Sequence, residues 1–260
     1  MLERLDHYWR LVGTGVSFFV FGAIGVLLGL TVFPLLSVTV RPRQRREEVA
    51  RSVLRAAFQF FVGLMRFVGV IDYTFAGRER LERRGLLIIA NHPSLIDAVF
   101  LMANVPNATC VVDEPLARNP FTRAAVHAAG YIVNDPSGLP LVEACIASLA
   151  EGGNLVFFPE GHRTSPGGPI VFRRGGAQVA VRGGVDVAPV RIRCEPPTLT
   201  RGEKWWQVPP RRAQFTIEAG ADIAVRPYIE GEREPARAAR ALNGQLQAYF
   251  TRGSEGHAGA

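Results

Sequence analysis

The stretch that decides the fold is residues 86–97, LLIIANHPSLID. It begins as a continuous apolar run, which predicts a strand buried on both faces, as in a parallel sheet. The residues that follow, 98–102, predict a helix. A histidine and an aspartate, His92 and Asp97, therefore lie where a strand passes into a helix. Open α/β sheets place their ligand crevice at such junctions.

The spacing of His92 and Asp97 lets the two side chains meet only if they do not lie on one continuous helix. On one continuous helix, residues five apart point to different sides. Pro93 keeps His92 out of the helical region and suits the start of the helix, which places Asp97 in or near the first turn. From there the carboxylate can fix the tautomer of the imidazole. Alternatively, Ser94 and Asp97 form a capping-box-like pair, and His92 is an ordinary histidine at a strand end.

A second polar cluster follows a second buried strand. Residues 154–158, NLVFF, predict the strand, and residues 159–164, PEGHRT, follow it. Because the carboxyl ends of parallel strands meet at one edge of a sheet, Glu160, Arg163 and His92 are expected to converge on one crevice. By itself Pro-Glu-Gly is an ordinary turn. The matching His-Asp junction upstream favours the functional interpretation.

Strands and helices alternate through the rest of this region. The predicted strands are 72–76, 86–90, 108–112, 131–133, 154–158, 185–192 and 213–218, and the predicted helices follow His92 or cover 121–129, 139–150, a segment ending near 182, and 234–250. The alternation predicts an α/β fold with a mostly parallel sheet flanked by helices. Pro189 predicts an edge strand, a bulge or a strand start. In the irregular segment 194–212, the Trp205-Trp206 pair fits either an interfacial membrane anchor or packing under a loop.

The first 70 residues predict a membrane-anchoring helical module. Residues 11–40 carry no charged side chain, and about 20 apolar residues suffice to cross a bilayer. Pro34 predicts a break near the end of this segment. The segment either spans the membrane or enters one leaflet and returns. Four arginines follow it, so the positive-inside rule places the remainder of the chain on the cytoplasmic side. They are Arg41, Arg43, Arg45 and Arg46.

Residues 47–70 predict an amphipathic helix. Apolar residues recur at three- and four-residue steps and form a band, while Arg51, Arg55, Gln59 and Arg66 mark a more polar side. Two placements fit this pattern. The helix lies against the membrane or the first helix, or it packs into the core of the domain that follows.

Composition narrows the class of protein. The 260 residues, 48% of them hydrophobic, fit a membrane module at 1–70, a catalytic domain at 71–251 and a disordered tail at 252–260. The net charge of +7 suits an anionic membrane surface or an anionic substrate. A nucleic-acid partner is not expected, because the chain has no recognisable binding motif and begins with an apolar segment. Cys110, Cys145 and Cys194 match neither a zinc pattern nor a disulfide framework.

These motifs resemble those of the lysophospholipid acyltransferase family, which includes the 1-acylglycerol-3-phosphate acyltransferases. Residues 92–97 stand as the family's block of a histidine, four residues and an aspartate, and residues 158–161, FPEG, stand as its Phe-Pro-Glu-Gly block. Residues 163–165, 172–175 and 187–190 resemble sequences that follow in the family. The similarity runs from about residue 75 to residue 218.

The resemblance implies transfer of a fatty acyl group from a thioester of coenzyme A or acyl carrier protein to a hydroxyl of a lysophospholipid or related lipid. It implies no cofactor and no metal. His92 would be the general base, since histidine titrates near neutrality, and Asp97 its orienting partner. The residues that the resemblance assigns to the acceptor head group are Glu160, Gly161 and Arg163, with Arg173 or Arg174 assisting.

Two departures from the family concern the acceptor. Members that act on glycerol phosphates usually carry a lysine after the strand matching 108–112, where this chain has Asp113 and Glu114. They also usually carry an arginine at the end of the block matching 130–135, GYIVND, which has none. The loss of two cations favours a different lysolipid, or a hydroxyl without an adjacent phosphate, as acceptor.

Other functions remain as alternatives. A serine hydrolase is disfavoured because the sequence has no Gly-x-Ser-x-Gly motif. A metal-dependent hydrolase would use His92, Asp97, Glu160 and His162 as ligands, but their spacing matches no zinc signature. A non-enzymatic membrane adaptor would tolerate loss of His92. The sequence decides neither the acyl donor nor the oligomeric state.

Overall fold

The computed structural model describes residues 2–134, 141–165, 167–232 and 234–255. Within these ranges the helices are α1 (Leu2–Leu30), α2 (Val32–Thr39), α3 (Arg43–Phe67), α4 (Asp97–Asn104), α5 (Glu114–Arg118), α6 (Arg123–Ala128), α7 (Leu141–Ala150), α8 (Gly175–Gly183), α9 (Arg226–Gly231) and α10 (Pro235–Glu255). The strands are β1 (Ile71–Ala76), β2 (Leu87–Ala90), β3 (Ala108–Asp113), β4 (Ile132–Asn134), β5 (Asn154–Phe157), β6 (Val187–Glu195) and β7 (Ala213–Ala219). The predicted α/β fold is confirmed.

The strands form one mostly parallel sheet with β2 at its centre. The order across the sheet is β1-β7-β6-β2-β5-β3-β4. The β6–β7 pair is antiparallel, and the other pairs are parallel. All four residues of β2 are buried, as its continuous apolar run predicts. The residues that follow β2 and β5 therefore emerge side by side at one edge of the sheet.

Helices cover both faces of the sheet. Ile88 and Ala90 of β2 join a core cluster with α3 and α4, whereas Leu87 and Ile89 join a second cluster with α7, α8 and α10. This alternation is the two-residue period of a strand. If this alternation continues past the end of β2, residue 92 lies on the face of the sheet that α3 and α4 cover.

The position of Pro189 differs in part from the prediction. β6 lies inside the sheet, so the edge alternative is wrong. Pro189 is the third residue of β6, at an interruption in its pairing with β7. The β6–β7 ladder begins at Val190, and the next pairing is an isolated bridge between Val187 and Ile223. The carbonyl of Pro189 accepts the Gly220 N–H at 2.9 Å, and the missing N–H lies where the ladder is interrupted.

The apolar N-terminal segment is a helix with a break. α1 ends at Leu30 and α2 begins at Val32, so the break precedes Pro34 by three residues. The reason is that a proline ring clashes with the carbonyl four residues earlier, here that of Leu30. The combined segment, Arg4–Thr39, is long and apolar enough to cross a membrane by length and composition.

α1 lies along the rest of the molecule on one side. Trp9 Nε1 donates to the Val68 carbonyl at 2.8 Å, and the rings of Phe21 and Phe61 are 4.6 Å apart between centroids. A Cβ at Gly29 would lie 3.1 Å from an α6 side chain, so this glycine allows close approach. The other side of α1 is exposed and, after the polar residues Arg4, Asp6 and His7, apolar. Its large exposed side chains include Leu5, Val12, Val16, Phe19, Leu27 and Leu30.

α3 packs both against α1 and into the core. Phe61 and Met65 are buried in the cluster beneath the sheet. The predicted polar side of the helix does not face solvent throughout. Arg55 and Gln59 donate to the Ala103 carbonyl at the end of α4, at 3.3 and 2.9 Å. The core-packing placement therefore describes much of this helix, and its contact with the first helix is also present.

Some boundaries differ from those predicted. The short helices α5 and α9 were not expected. α10 continues to Glu255, so the first residues of the predicted tail are helical, and residues 256–260 lie outside the described ranges. Residues 135–140, which include the predicted start of the helix at 139, also lie outside them. Cys110 and Cys145 are buried, and Cys194 is partly buried.

Candidate active site

His92 and Asp97 are in contact at the carboxyl end of β2. His92 Nδ1 lies 3.0 Å from Asp97 Oδ2. The side chain of His92 is 18% exposed and that of Asp97 is fully buried, so the ring faces an opening and the carboxylate lies behind it. The prediction that Pro93 begins the helix is wrong, because α4 begins at Asp97 itself. Residues 91–96 instead form a loop whose backbone groups bind other segments.

The carboxylate that contacts the imidazole also accepts a backbone N–H from the loop before α4. Ser94 N–H donates to Asp97 Oδ2 at 2.5 Å. The N-cap of α4 is Ile96, without a side-chain hydrogen bond, and Ser94 Oγ binds the Thr198 carbonyl, so the capping-box alternative is wrong. Burial raises the pKa of Asp97, while the hydrogen bond to His92 and the Ser94 N–H lower it. With Nδ1 directed at the carboxylate, Nε2 is the ring nitrogen left to accept a proton.

The loop after β5 holds the backbone of His92. Glu160 Oε1 accepts the His92 N–H at 2.8 Å, and Thr164 N–H donates to the His92 carbonyl at 2.9 Å. The two loops thus meet at one edge of the sheet, as the parallel arrangement predicts. Glu160 and Thr164 thereby fix the position of the His92 backbone, to which the imidazole is attached.

Glu160 is a buried carboxyl group. Its exposed fraction is 4%. Burial raises the pKa of Glu160 to about 7, and the nearby Asp97 carboxylate adds to this rise, while the His92 N–H and charge oppose it. The group therefore titrates close to neutral pH. Its described contact is with the main chain of His92, which makes it a positioning residue in this structure.

Arg163 lies beside the same loops but faces a third segment. We call residues 196–210, between β6 and β7, the strap. Arg163 Nη1 donates to the carbonyls of Leu199 and Thr200, each at 2.9 Å. This nitrogen is occupied by the main chain, so a forked contact with a phosphate would have to use Nε and Nη2.

The strap also binds the loop after β2. Ser94 Oγ donates to the Thr198 carbonyl at 2.9 Å, and Leu95 N–H donates to the Leu199 carbonyl at 3.0 Å. Together with Arg163, these contacts tie the strap to both loops of the site. The strap residues 198–200 are buried.

The outer side of the site carries Gly161, Arg173 and Arg174. Gly161 has a φ of +73°, and a Cβ there would lie 3.4 Å from the guanidinium of Arg173. Arg173 N–H donates to the Pro159 carbonyl at 2.8 Å, so Arg173 is attached to the loop that carries Glu160. Arg174 directly precedes α8, and its side chain is exposed. The structure brings Gly161 and Arg173 together and leaves Arg174 at the surface.

Comparisons with known proteins match the part of the chain that carries these loops. The acyltransferase family model matches residues 72–193, which contain both loops. A 1-acyl-sn-glycerol-3-phosphate acyltransferase of Pseudomonas aeruginosa is 26% identical over 206 residues, covering 77% of this chain and 76% of that protein. One from Helicobacter pylori is 27% identical over 180 residues, covering 66% and 70%. Residues 72–193 thus match the acyltransferase family, and the named relatives support an acyltransferase.

A solved structure shares the fold of this acyltransferase. It is the crystal structure of the 1-acyl-sn-glycerophosphate acyltransferase PlsC from Thermotoga maritima. The TM-score is 0.70 at 15% sequence identity, and the match covers 97% of this chain and 98% of the other. The likeness therefore includes the N-terminal helices as well as the sheet.

Two residues of the acyltransferase site were missed by sequence reasoning. The rings of Phe158 and His92 are stacked, with centroids 4.3 Å apart and planes at 25°. Asn91 Nδ2 donates to the Ile192 carbonyl, and Asn91 Oδ1 accepts the Ile192 N–H, both at 2.8 Å. Both residues lie within the quoted motifs, next to the residues singled out. Their position beside His92 and Glu160 was the available signal.

The acidic residues that depart from the family lie at the edge of the sheet that carries the acyltransferase site. Asp113 ends β3, is exposed, and pairs in register with Asn134 at the end of β4. β3 is two strand positions from β2, which corresponds to about 10 Å. Glu114 forms an ion pair with Arg118. Asp113 therefore adds negative charge near the opening.

The four candidate metal ligands do not converge. His162 is exposed, with Nδ1 3.3 Å from the Arg163 carbonyl and Nε2 3.3 Å from Arg201. In the part of the chain that the structure describes, no group of three or more His, Cys, Asp or Glu side chains is placed to hold a metal ion. The geometry of these residues does not favour the metal-dependent hydrolase.

Proposed function

We propose that this acyltransferase moves a fatty acyl group from acyl-coenzyme A or acyl carrier protein to a hydroxyl of a lysophospholipid or related lipid, with His92 as general base. The observation that carries the proposal is the His92–Asp97 pair, a partly open imidazole 3.0 Å from a buried carboxylate. Proton abstraction from a hydroxyl needs such a base and such an orienting partner. The names of the relatives support a lipid acceptor.

The chemistry follows from the position of the imidazole. Nε2 takes the proton of the acceptor hydroxyl as its oxygen attacks the thioester carbonyl carbon. A C–O bond forms, the C–S bond breaks, and the imidazolium returns the proton to the leaving thiolate. Asp97 stabilises the imidazolium between these steps. Phe158, Glu160 and Thr164 hold the ring and its main chain in place, and no acyl-enzyme is required.

Substitution of His92 tests the assignment. We expect His92→Ala to lower acyl transfer by at least about 10²-fold, the low end of what general-base catalysis contributes. His127→Ala is the matched control, because His127 is an exposed histidine on α6. Both variants are compared by circular dichroism and by transfer of radiolabelled acyl groups. Acyl transfer retained in His92→Ala would refute the assignment of His92 as the general base.

The acceptor is proposed to be a different lysolipid from lysophosphatidate, or a hydroxyl without an adjacent phosphate. Two observations support this, although the relatives are named for a glycerol phosphate. Asp113 stands exposed where the family usually has a cation, and Arg163 Nη1 is bound to main-chain carbonyls. A screen of purified enzyme against lysophosphatidate and phosphate-free acceptors tests this. Each acceptor is supplied with both acyl-coenzyme A and acyl carrier protein, which also identifies the donor. Strong selectivity for lysophosphatidate would overturn the proposed acceptor.

Membrane association belongs to the same proposal. From Tyr8 to Leu30 the exposed side of α1 is apolar, while the other side contacts the domain from Trp9 to Gly29. A helix held in this way is suited to lie in one leaflet beside the domain, with the arginines of 41–46 on the cytoplasmic side. Sedimentation with phospholipid vesicles tests the association. Protein that stays in the supernatant at low salt would refute it.

A further inference from the structure

The strap runs from the active site to the first helix. At its start, Thr198 and Leu199 bind the loop after β2, as described above. At its end, the buried side chain of Arg10 donates through Nη2 to the carbonyls of Pro209 and Pro210, at 3.3 and 2.8 Å. One segment is thus hydrogen-bonded both to the loop that carries His92 and to α1.

Between these two ends the strap presents a pair of indoles at the surface. Trp205 and Trp206 are 45% and 49% exposed, and their rings meet edge to face with centroids 5.6 Å apart. Lys204 Nζ lies 5.0 Å from the centroid of the Trp206 ring. Indoles with an adjacent cation are the side chains that proteins place at the level of lipid head groups.

Trp205 borders the exposed apolar side of α1. A Cβ at Gly15 would lie 3.2 Å from the Trp205 ring, so the glycine lets the ring rest on the helix. Val12 and Phe19, three residues before and four after Gly15, lie on the same side of the helix and are exposed. The indole pair and α1 therefore form one continuous apolar surface.

We propose that Trp205 and Trp206 enter the interfacial layer of an anionic phospholipid bilayer beside α1, which makes the strap a second membrane contact. The proposal rests on the membrane association proposed above. Lys204 and the net charge of +7 complement anionic head groups. Because the strap binds the loops that hold His92, this contact also orients the catalytic edge towards the surface that carries a lipid acceptor.

Tryptophan fluorescence tests the contact directly. The chain has three tryptophans, so Trp9→Phe leaves the two strap indoles as the only ones. The full-length variant is mixed with phosphatidylcholine–phosphatidylglycerol vesicles whose acyl chains carry bromine, a quencher of indole emission. We expect quenching with these vesicles and none with unbrominated ones. Sedimentation of the same samples separates the two proposals. Bound but unquenched protein overturns the strap contact alone, and unbound protein overturns membrane association as well.

Vesicle affinity gives a second readout. We expect Trp206→Ala to weaken binding about tenfold. The exposed half of the Trp206 side chain is the part that would be buried in the membrane, and alanine removes it. Ile229→Ala is the matched control, since Ile229 is a 40% exposed apolar residue on α9, which packs near α8 and α10. The control is expected to bind as the parent does. Unchanged affinity in Trp206→Ala, with circular dichroism showing a folded protein, would overturn the proposal.

Discussion

Glu160→Gln should make the stability of the protein depend less on pH. Burial raises the pKa of Glu160 from its ordinary value of 4.5 to about 7. A rise of this size corresponds to about 3 kcal/mol. The folded state holds the proton more tightly than the unfolded state. The stability that Glu160 contributes is therefore full below pH 4.5 and is lost as the pH rises through about 7.

Glutamine keeps the contact and removes the ionisation. Its Oε1 can still accept the His92 N–H, which Glu160 accepts at 2.8 Å. We expect the advantage of Glu160→Gln over the parent to grow by about 2–3 kcal/mol between pH 5 and pH 8, since the parent then holds a buried charge. The measurement is urea unfolding in detergent at both pH values, followed by circular dichroism.

Glu82→Gln serves as the control, because Glu82 is exposed in the turn after β1 and the substitution removes one surface charge. An advantage of Glu160→Gln that stays constant or shrinks as the pH rises would refute the reasoning. It would mean that the carboxyl group is solvated in solution or stays protonated at pH 8.

Two further substitutions test the site and the packing around it. Asp97→Asn is expected to lower kcat by about 10²- to 10⁴-fold with a smaller change in KM, because an amide favours the wrong imidazole tautomer; steady-state kinetics decide, and an unchanged kcat would contradict the pairing. Gly130→Ala is expected to destabilise the fold by about 1–3 kcal/mol, because Gly130 has a φ of +63° and a Cβ would lie 2.5 Å from the Glu47 carboxylate. Thermal unfolding measures this loss of stability. Gly22→Ala is the control and should not destabilise the fold, because Gly22 lies in α1 and a Cβ there has no described neighbour within 4 Å.

The sheet and the centre of the site could be predicted because their signals are local. A continuous apolar run such as 86–90 fits a strand buried on both faces. The convergence of His92 and Glu160 followed from parallel pairing, which brings the ends of neighbouring strands to one edge. The start of α4 was misplaced because Pro93 suits a first helical turn equally well in sequence, whereas the folded loop uses residues 94 and 95 to bind the strap.

The packing of α3 could not be read from its polar side. Arg51 is buried, with Nε donating to the Ala129 carbonyl at 2.8 Å and Nη1 to Asn107 Oδ1 at 3.1 Å. In the sequence, an arginine that binds a carbonyl at the end of another helix shows the same helical spacing as an arginine exposed to solvent, so the pattern does not distinguish the two. The aliphatic part of the side chain packs while the guanidinium finds distant acceptors. The Ala129 carbonyl is a main-chain group, which carries no residue-specific signal, and Asn107 is 56 residues away in sequence.

The strap was missed for the same reason. Its contacts with Ser94 and Leu95 end on carbonyls about 100 residues away in sequence, and any residue at 198 or 199 supplies a carbonyl. Arg163 was singled out for its guanidinium, and the structure shows that this group binds the strap through Nη1. The side chain was found from the motif, but its partner was not.

The side chain of Asn91 explains how β2 can stop while β6 continues. Backbone pairing between them ends at Ala90 and Val190, and the Asn91 amide then occupies both the N–H and the carbonyl of Ile192. A primary amide imitates a peptide group, whereas a carboxylate could satisfy only the N–H. The main chain can therefore leave the sheet after Ala90, because the Asn91 side chain satisfies the N–H and carbonyl of Ile192 that a further residue of β2 would otherwise have bound. Because the main chain leaves the sheet at this point, the imidazole of His92 can contact Asp97 at the beginning of α4.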